Sequence, residues 1–354
     1  MTGWGRRLRV LLMAALLWMV PCLPLAQAQS AQAGMVRILL TGYNQAQQIE
    51  IGVYGHYLLD GRMSFQSGSR LVVSAQQNTL LIYYEGAVYR TDTAAHFVRH
   101  SGQPGVENGL RLGGALPLYE GDLVLTAADS KIRPVLHIGI EDYLKGVVPY
   151  EMSDSFPIEA LKAQAVAART YALKRREANQ ARAYDLVDTT QDQVYKGLDR
   201  RNENAIAAVD ATRGVAGEYG GSYANCYYTA SNGGQTALPQ DIWGGGQDMH
   251  YLTMRDDPYD LANPASVVRT LDVPAGGGDL PQALADMLRR QLPEAMASLG
   301  YSDDLADIAI ERVAAIEPTQ PMGAEGSRRY SKLRFSLIVS GRALPYPTGQ
   351  PTPA

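Results

Sequence analysis

The sequence predicts an α+β protein, with a β-rich N-terminal part followed by a core of mixed helices and strands. Two observations support this fold class. From Met35 to about Glu141, short segments alternate between apolar and polar residues, which is the period of a strand with one buried face. Beyond Glu141, apolar residues return at the three- or four-residue spacing of an amphipathic helix. The 354-residue chain is therefore expected to contain two regions of different secondary structure.

The first region contains a series of predicted strands. Gly, Asn, Asp and Ser residues separate them at the spacing typical of β-hairpins, and no helical period competes. The predicted strands cover residues 36–40, 49–54, 70–74, 79–84, 123–125 and 135–140.

The second region opens with a short amphipathic segment over residues 142–148, which Pro149 is predicted to end. A long helix then runs to about Arg176, with N-cap chemistry from residues 153–155 and Pro157 in its first turn. Its apolar stripe is mostly alanine, which predicts a close approach to a neighbouring element. The stripe comprises Ile158, Leu161, Ala165, Ala168 and Ala172.

The remaining chain predicts shorter elements. They are a helix over 202–212, a hairpin over 214–228 with its turn at Gly220 and Gly221, helical structure over 278–300, and a strand over 333–339. The predicted organisation is therefore a signal peptide (1–28), a β-rich region (35–139), a core (140–270), a helical insertion with a closing strand (271–343) and a Pro-rich tail (344–354).

The N-terminus has the three parts of an export signal. Three arginines precede an uncharged apolar run over residues 10–20, and Ala26, Gln27 and Ala28 form a small-residue cleavage signature. Cleavage there predicts an exported protein that starts near Gln29. The run is shorter than the ~20 residues of a transmembrane helix, and the alternative is an uncleaved N-terminal anchor. No later segment is long and apolar enough to span a membrane, so an integral membrane protein is not expected after cleavage.

Charge and aromatic composition narrow the function. The formal charge is −4, and removing the three arginines of the signal takes it to −7, which argues against nucleic acid as a partner. The chain has 21 Tyr against 4 Phe. Tyrosine combines an apolar face with a hydroxyl, which suits sugar rings, although a surface preference of β-proteins explains the same excess.

Glu151 is the candidate catalytic residue. It is a single carboxylate in an apolar setting shortly before the predicted long helix. Burial raises a carboxyl pKa and a helix N-terminus lowers it, and a general acid for sugar chemistry requires the first effect to dominate. A glutamate at such a position is also typical of a capping or surface group, so the residues alone leave both roles open.

Three sequence blocks resemble the stage II sporulation protein D/LytB domain family. The first, over residues 140–173, contains E-D-Y-L-K-G-V-V-P-Y-E-M and A-L-K-A-Q-A-V-A-A-R-T-Y-A-L. The second is Q-V-Y-K-G over residues 193–197, and the third is Y-T-A-S-N-G-G-Q-T over residues 228–236. The segment before them, with Tyr119-Glu120-Gly121, is also similar, so the resemblance covers roughly residues 35–270.

The resemblance implies a site. Glu151 matches the glutamate proposed as the catalytic residue of a glycan-cleaving lytic transglycosylase. The matched blocks imply substrate-binding roles for Lys162, Arg169, Gln193, Tyr195, Tyr228, Ser231, Asn232 and Gly233. Two of these residues also fit a structural role. Lys162 is typical of a solvated helix face, and Arg169 is typical of a structural ion pair.

Two departures from the family pattern matter. Some relatives carry Cys and His zinc ligands just before the Q-V-Y block, but residues 184–192 contain neither, so neither a metal nor another cofactor is expected. Many members also end in a block of the form G-H-G-V-G-M-S-Q. This sequence lacks that block, which indicates either a shortened variant or a truncated sequence.

The chemistry that the resemblance implies needs one carboxyl group. Ordinary glycosidases use two carboxylates that flank the bond, whereas one group can protonate the glycosidic oxygen and then deprotonate the sugar's own 6-hydroxyl. Asp154 is the nearest candidate for a second carboxylate, and a helix cap is its other role. We therefore expect a protein of the cell wall or envelope, or a secreted one, whose partner is the glycan strand of peptidoglycan. The alternatives are a non-catalytic wall-binding module that enhances a partner amidase, and a structural envelope protein.

Overall fold

The computed structural model describes residues 34–100, 102, 106–114, 118–244, 249–264, 266 and 280–345. The predicted signal peptide and residues 346–354 of the predicted tail lie outside these residues, and both stay predictions. The described chain has the predicted mixed α+β fold. It divides into two compact units, the first ending at Tyr228 and the second starting at Thr229. The predicted domain boundaries stay a prediction beside this division.

The first unit begins with eleven strands among the described residues, and all six predicted strands are present. Five more strands, of three to five residues each, were not predicted. The strands are β1 (Met35–Leu39), β2 (Gln48–Tyr54), β3 (Tyr57–Leu59), β4 (Met63–Phe65), β5 (Arg70–Gln76), β6 (Thr79–Tyr84), β7 (Ala87–Thr91), β8 (Ala95–Arg99), β9 (Gly109–Leu112), β10 (Asp122–Ala128) and β11 (Lys131–Gly139).

These strands form two sheets. Within the described residues, one has the order β7-β6-β5-β2-β9 and is antiparallel throughout. The other has the order β1-β11-β10-β8-β3-β4, and β12 (Leu186–Val187) pairs in parallel with its outer strand β1. Alternate side chains of both sheets meet in one apolar core, which includes Val73 from the first sheet and Phe97 from the second. Burial of one face of each sheet explains the two-residue period of the sequence.

The described part of the first unit also contains four helices: α1 (Ile140–Lys145), α2 (Val148–Glu151), α3 (Ile158–Ala178) and α4 (Glu203–Ala211). The predicted alanine stripe packs α3 against α4. Leu161, Ala165, Ala168 and Ala172 are fully buried, as predicted, but Ile158 is 40% exposed because it lies at the first residue of the helix. The predicted hairpin has its turn at Gly220–Gly221 between β13 (Glu218–Tyr219) and β14 (Ser222–Tyr223).

Two predictions about helix ends were wrong. Pro149 does not end a helix but lies in the first turn of α2, where its missing N–H costs nothing; α1 ends at Lys145, before Gly146. Residues 153–155 do not cap α3, whose N-cap is Pro157 without a side-chain hydrogen bond. The Asp154 carboxylate instead accepts a hydrogen bond from the Ala205 backbone N–H (2.7 Å), in the first turn of α4.

The second unit contains four short helices and a long hairpin in its described part. The helices are α5 (Pro239–Trp243), α6 (Pro258–Ala262), α7 (Gln282–Arg289) and α8 (Pro293–Ser298). The helical prediction over 278–300 is confirmed as two helices, the second starting at Pro293. The predicted strand over 333–339 lies within β16 (Arg329–Gly341), whose partner is β15 (Ile308–Met322). None of the helices in the described residues is both long and apolar enough to cross a membrane.

Candidate active site

Glu151 is the last residue of the short helix α2, seven residues before the start of α3. Its Oε1 accepts a hydrogen bond from the backbone N–H of Val194 (2.8 Å). The side chain is partly buried, so the carboxyl group keeps contact with solvent while one oxygen is held by the backbone. The first and second sequence blocks therefore meet at this carboxylate, through two residues that are 43 positions apart.

The loop that carries Val194 is itself fixed by Asp192. The Asp192 carboxylate accepts hydrogen bonds from the Val187 N–H (2.9 Å) and the Tyr171 hydroxyl (3.0 Å), and forms an ion pair with Arg175 (2.9 Å). Its side chain is almost completely buried. Asp192 thus ties the loop to both strand β12 and helix α3, and sets the position of the N–H that holds Glu151.

A chain of polar groups leads from the core to the same carboxylate. The Tyr143 hydroxyl donates to Gln193 Oε1 (3.4 Å), and Gln193 Nε2 donates to the Tyr228 hydroxyl (3.1 Å). Burial raises the pKa of Tyr228 to about 12, the hydrogen bond from Gln193 opposes this, and the nearby negative charge of Glu151 adds to it. Tyr228 therefore stays protonated at neutral pH beside Glu151.

Gln193 and Tyr195 support the site from behind it. They are 0% and 2% exposed, and the substrate-binding roles expected for them stay predictions. The Tyr195 ring packs on Tyr143, with centroids 5.1 Å apart, and on Tyr119, at 6.1 Å. Gly146 makes room for that ring, because a Cβ there would lie 2.6 Å from Tyr195 Cε2.

Arg169 is buried, with 1% of its surface exposed. Its guanidinium forms a two-pronged ion pair with Glu141, with Nε to Oε1 at 3.0 Å and Nη2 to Oε2 at 2.7 Å. It also donates to the Val215 carbonyl (3.0 Å), and Glu141 accepts from the Gly214 N–H (3.0 Å). Arg169 therefore joins α1, α3 and the loop after α4, as its alternative role in a structural ion pair requires, and its assignment to substrate binding stays a prediction.

Lys162 lies on the exposed side of α3, where its Nζ pairs with Glu159 Oε1 (2.7 Å), one turn earlier. This environment fits the alternative given from the sequence, in which Lys162 belongs to a solvated helix face. Its assignment to substrate binding stays a prediction.

Ser231, Asn232 and Gly233 belong to the second unit. They surround the carboxylate of Asp260: Oδ2 accepts from Ser231 Oγ (2.7 Å), from the Asn232 N–H (3.0 Å) and from the Gly233 N–H (2.8 Å). The hydroxyl hydrogen bonds, first that of Ser231 and then that of Ser266, lower the pKa of Asp260 to about 2. Residues 231–233 of the third sequence block therefore form a loop around the Asp260 carboxylate, and their role toward a substrate stays a prediction.

The described residues contain no cluster of three or more His, Cys, Asp or Glu side chains arranged to hold a metal ion. Cys226 is a half-buried free thiol, and burial raises its pKa. The groups that the structure places at Glu151 are its own carboxylate, the Val194 N–H and the Tyr228 hydroxyl.

A comparison with protein families identifies the central part of the chain. The family model for "Stage II sporulation protein" matches residues 128–219, a segment that contains Glu151 and both residues of the buried Arg169–Glu141 pair. Residues 128–219 therefore belong to the SpoIID domain family. At this level it is a cell-wall-related protein of the SpoIID/LytB kind.

Three relatives show how far the similarity extends. An uncharacterized protein of Brachyspira hyodysenteriae is 37% identical over 169 residues, which cover 47% of this chain and 41% of the relative. The amidase enhancer of Bacillus subtilis is 42% identical over 117 residues, 33% of this chain and 15% of the relative. Stage II sporulation protein D of Bacillus amyloliquefaciens is 34% identical over 179 residues, 46% and 51% respectively. The chain thus spans about half of the length of two of these relatives and 15% of the third.

Three residues of the SpoIID site were not predicted from the sequence: Glu141, Asp192 and the backbone of Val194. Glu141 had a signal, because a buried arginine on an alanine stripe requires an acidic partner and Glu141 opens the first block. Asp192 and Val194 had no such signal in the sequence. Val194 acts through its backbone N–H, which every residue except proline has, so the residue type does not identify it.

Proposed function

We propose that this chain is an exported lytic transglycosylase that cleaves the glycan strands of peptidoglycan with Glu151 as its acid and base. One observation carries the proposal: the Glu151 carboxylate is partly exposed, held at Oε1 by the Val194 N–H (2.8 Å), and lies beside the protonated Tyr228 hydroxyl. A group that transfers a proton must be held in a fixed orientation and still reach its substrate. The environment of Glu151 has both properties.

The reaction uses the carboxyl group twice. In the first half, protonated Glu151 gives its proton to the glycosidic oxygen as the bond between C1 and that oxygen breaks. In the second half, the resulting carboxylate takes the proton of the 6-hydroxyl of the same sugar as the hydroxyl oxygen bonds to C1. The product carries an anhydro ring, no water is consumed, and Glu151 ends in its starting protonation state.

Asp154 does not suit the role of a second carboxylate. Its Oδ1 accepts a hydrogen bond from the Ala205 N–H (2.7 Å), in the first turn of α4, and it therefore acts as a helix cap. A hydrolytic mechanism needs a second carboxylate to activate water or attack the sugar. Because Asp154 is engaged by α4, Glu151 has no second carboxylate in that position, which favours a transglycosylase over a hydrolase.

The deciding experiment is a mass spectrum of purified peptidoglycan after digestion by the wild-type protein and by Glu151→Gln. Glutamine keeps the oxygen that accepts from Val194 but has no transferable proton, so anhydro-muramyl products should fall by roughly 10²–10⁴-fold. The matched control is Glu159→Gln, which changes an exposed glutamate on α3 in the same way and should leave the product yield unchanged. If the wild type instead releases products with reducing ends, the protein is a hydrolase and not a transglycosylase.

A second candidate function is a non-catalytic module that enhances an amidase. It rests on the 42% identity over 117 residues to a protein named amidase enhancer. The same digestion separates the two, with a cell-wall amidase added. If neither the wild type nor Glu151→Gln releases glycan products, and both raise the amidase rate equally, Glu151 is structural and the enhancer function stands.

A further inference from the structure

A groove of about 640 Å³ lies on the five-stranded sheet of the first unit, among residues that the site around Glu151 does not use. Its walls include side chains of β2, β5, β6 and β9, which point away from the core shared by the two sheets. The volume is within the range of about 300–1,000 Å³ that is typical of small-ligand sites. The residues that the argument uses are Glu50, Gly52, Tyr54, Arg70, Tyr83 and Arg111.

Gly52 forms the floor of this groove. It lies inside β2, between Arg70 on β5 and Arg111 on β9, its partners in the two neighbouring strands. A glycine inside a strand weakens it and often marks a close approach of another molecule or chain. Nothing in the chain requires glycine here: its φ is not positive, and a Cβ would lie at ordinary contact distance, 3.7 Å from Tyr54 Cε2 and 3.9 Å from the Arg111 carbonyl oxygen.

Tyrosines provide the apolar surface of the groove. Tyr54 follows Gly52 on the same face of β2, and the Arg111 guanidinium holds it by stacking on the ring at 4.3 Å and donating to its hydroxyl at 3.1 Å. Tyr83, on β6, is 39% exposed and lies across from Val72. The Tyr54 ring is therefore held in place with one face covered by Arg111, and the Tyr83 ring is exposed. Each combines an apolar ring with a polar hydroxyl, as binding of a pyranose ring requires.

The charged groups of the groove indicate an uncharged ligand. Arg70, Glu50 and Glu85 make no side-chain hydrogen bond or ion pair with any part of the chain that the structure describes. Together with Arg111 they give two positive and two negative groups, which leaves no net charge to attract an ion. They do offer donors and acceptors on either side of the tyrosines, which matches the hydroxyl and amide groups of an N-acetylated amino sugar.

We propose that this groove is a second glycan-binding site, which takes a stretch of N-acetylated amino-sugar polymer over the glycine floor and between the tyrosines. The inference rests on the proposed function for the identity of the polymer, since peptidoglycan strands are built from such sugars. The groove anchors a strand at a place other than Glu151 and takes no part in the bond cleavage.

The test is isothermal titration of the full chain with chitohexaose, an uncharged hexamer of N-acetylglucosamine. The protein carries Glu151→Gln, so that no cleavage disturbs the titration. Gly52→Leu fills the floor and should weaken binding by about tenfold or more, the equivalent of ~1.4 kcal/mol. Tyr83→Ala, which removes an exposed ring, should weaken it by a similar factor. The matched control is Ser74→Leu, which adds the same side chain on the same face of β5 outside the groove and should leave the affinity unchanged.

The outcomes separate this inference from the proposed function. Equal affinity of Gly52→Leu and the parent protein, with both folded by circular dichroism, overturns the groove whether or not peptidoglycan is cleaved. An undetectable affinity of the parent protein overturns it as well. The transglycosylase proposal would be wrong, and the groove proposal confirmed, by the following combination. Wild-type protein cleaves no glycan, Gly52→Leu and Tyr83→Ala lose chitohexaose binding, and Ser74→Leu keeps it.

Discussion

Replacing Arg169 with methionine removes one charge from a buried pair and keeps most of the side-chain volume. In the wild type, Glu141 receives two hydrogen bonds from Arg169, at 3.0 and 2.7 Å, and a third from the Gly214 N–H at 3.0 Å. The variant leaves that carboxylate in the interior with the Gly214 bond alone. Loss of one partner of a buried pair costs about 3–5 kcal/mol, a large fraction of the stability of a typical domain.

Urea unfolding followed by circular dichroism measures this cost as a shift of the midpoint at constant slope. The control is Lys162→Met, which breaks the exposed pair with Glu159 on the same helix and should cost less than ~1 kcal/mol. A double variant, Arg169→Met with Glu141→Leu, removes both charges and should recover most of the lost stability, since apolar replacement of a whole buried pair is often neutral.

The structural role of Arg169 would be refuted by one combination of results. A loss of stability below ~1 kcal/mol together with a tenfold weaker affinity for glycan strands would return Arg169 to substrate binding. Stability recovered by the double variant, with glycan affinity unchanged, would confirm that the pair serves the fold.

Three further predictions concern groups around the site. Gly146→Ala should destabilise the first unit by about 1–3 kcal/mol in urea unfolding, because the new Cβ would lie 2.7 Å from the Gly197 carbonyl oxygen; an unchanged midpoint would contradict the packing of Tyr195. Asp154→Ala should cost about 1 kcal/mol through its bond to α4 and leave the yield of anhydro products intact; loss of those products at full stability would make Asp154 a second catalytic carboxylate. The pKa of Tyr228 is raised to about 12 from 10.0, so its contribution to stability is present below pH 10 and is lost as pH rises toward 12; Tyr228→Phe should fall less steeply over that window, and equal slopes would exclude the burial of this hydroxyl.

The parts of the fold that the sequence predicted are those in which one face of an element is buried. Strands such as β2 and β5 alternate cleanly because one face meets the shared core, and α3 was recognised because its alanine stripe packs on α4. Strand β15 was missed because it lacks that alternation. Its register against β16 shifts between Ile310 and Arg312 and again between Val313 and Ala315, which breaks the two-residue period.

The sequence located some residues around Glu151 but not their individual roles. Resemblance to a family located Glu151, Gln193 and Tyr228, which the fold brings together. It did not distinguish groups that touch a ligand from groups that hold other groups in place, since Arg169 and Tyr195 belong to the same blocks and are both buried. Local sequence also misled, because Asp154 has cap chemistry next to α3 but caps α4, about fifty residues later.

The parallel pairing of β1 with β12 has a consequence for the order of folding. Arg37 and Asp185, at this junction, are 148 positions apart and joined by four hydrogen bonds, at 2.5–3.1 Å. Closing a loop of that length costs on the order of 4 kcal/mol in chain entropy, which must be spent before the contacts form. The loop after β12 carries Asp192 and Val194, so we expect it to become ordered only after β1 has paired with β12. Orientation of the Glu151 carboxylate is therefore expected late in folding, once this distant strand is in place.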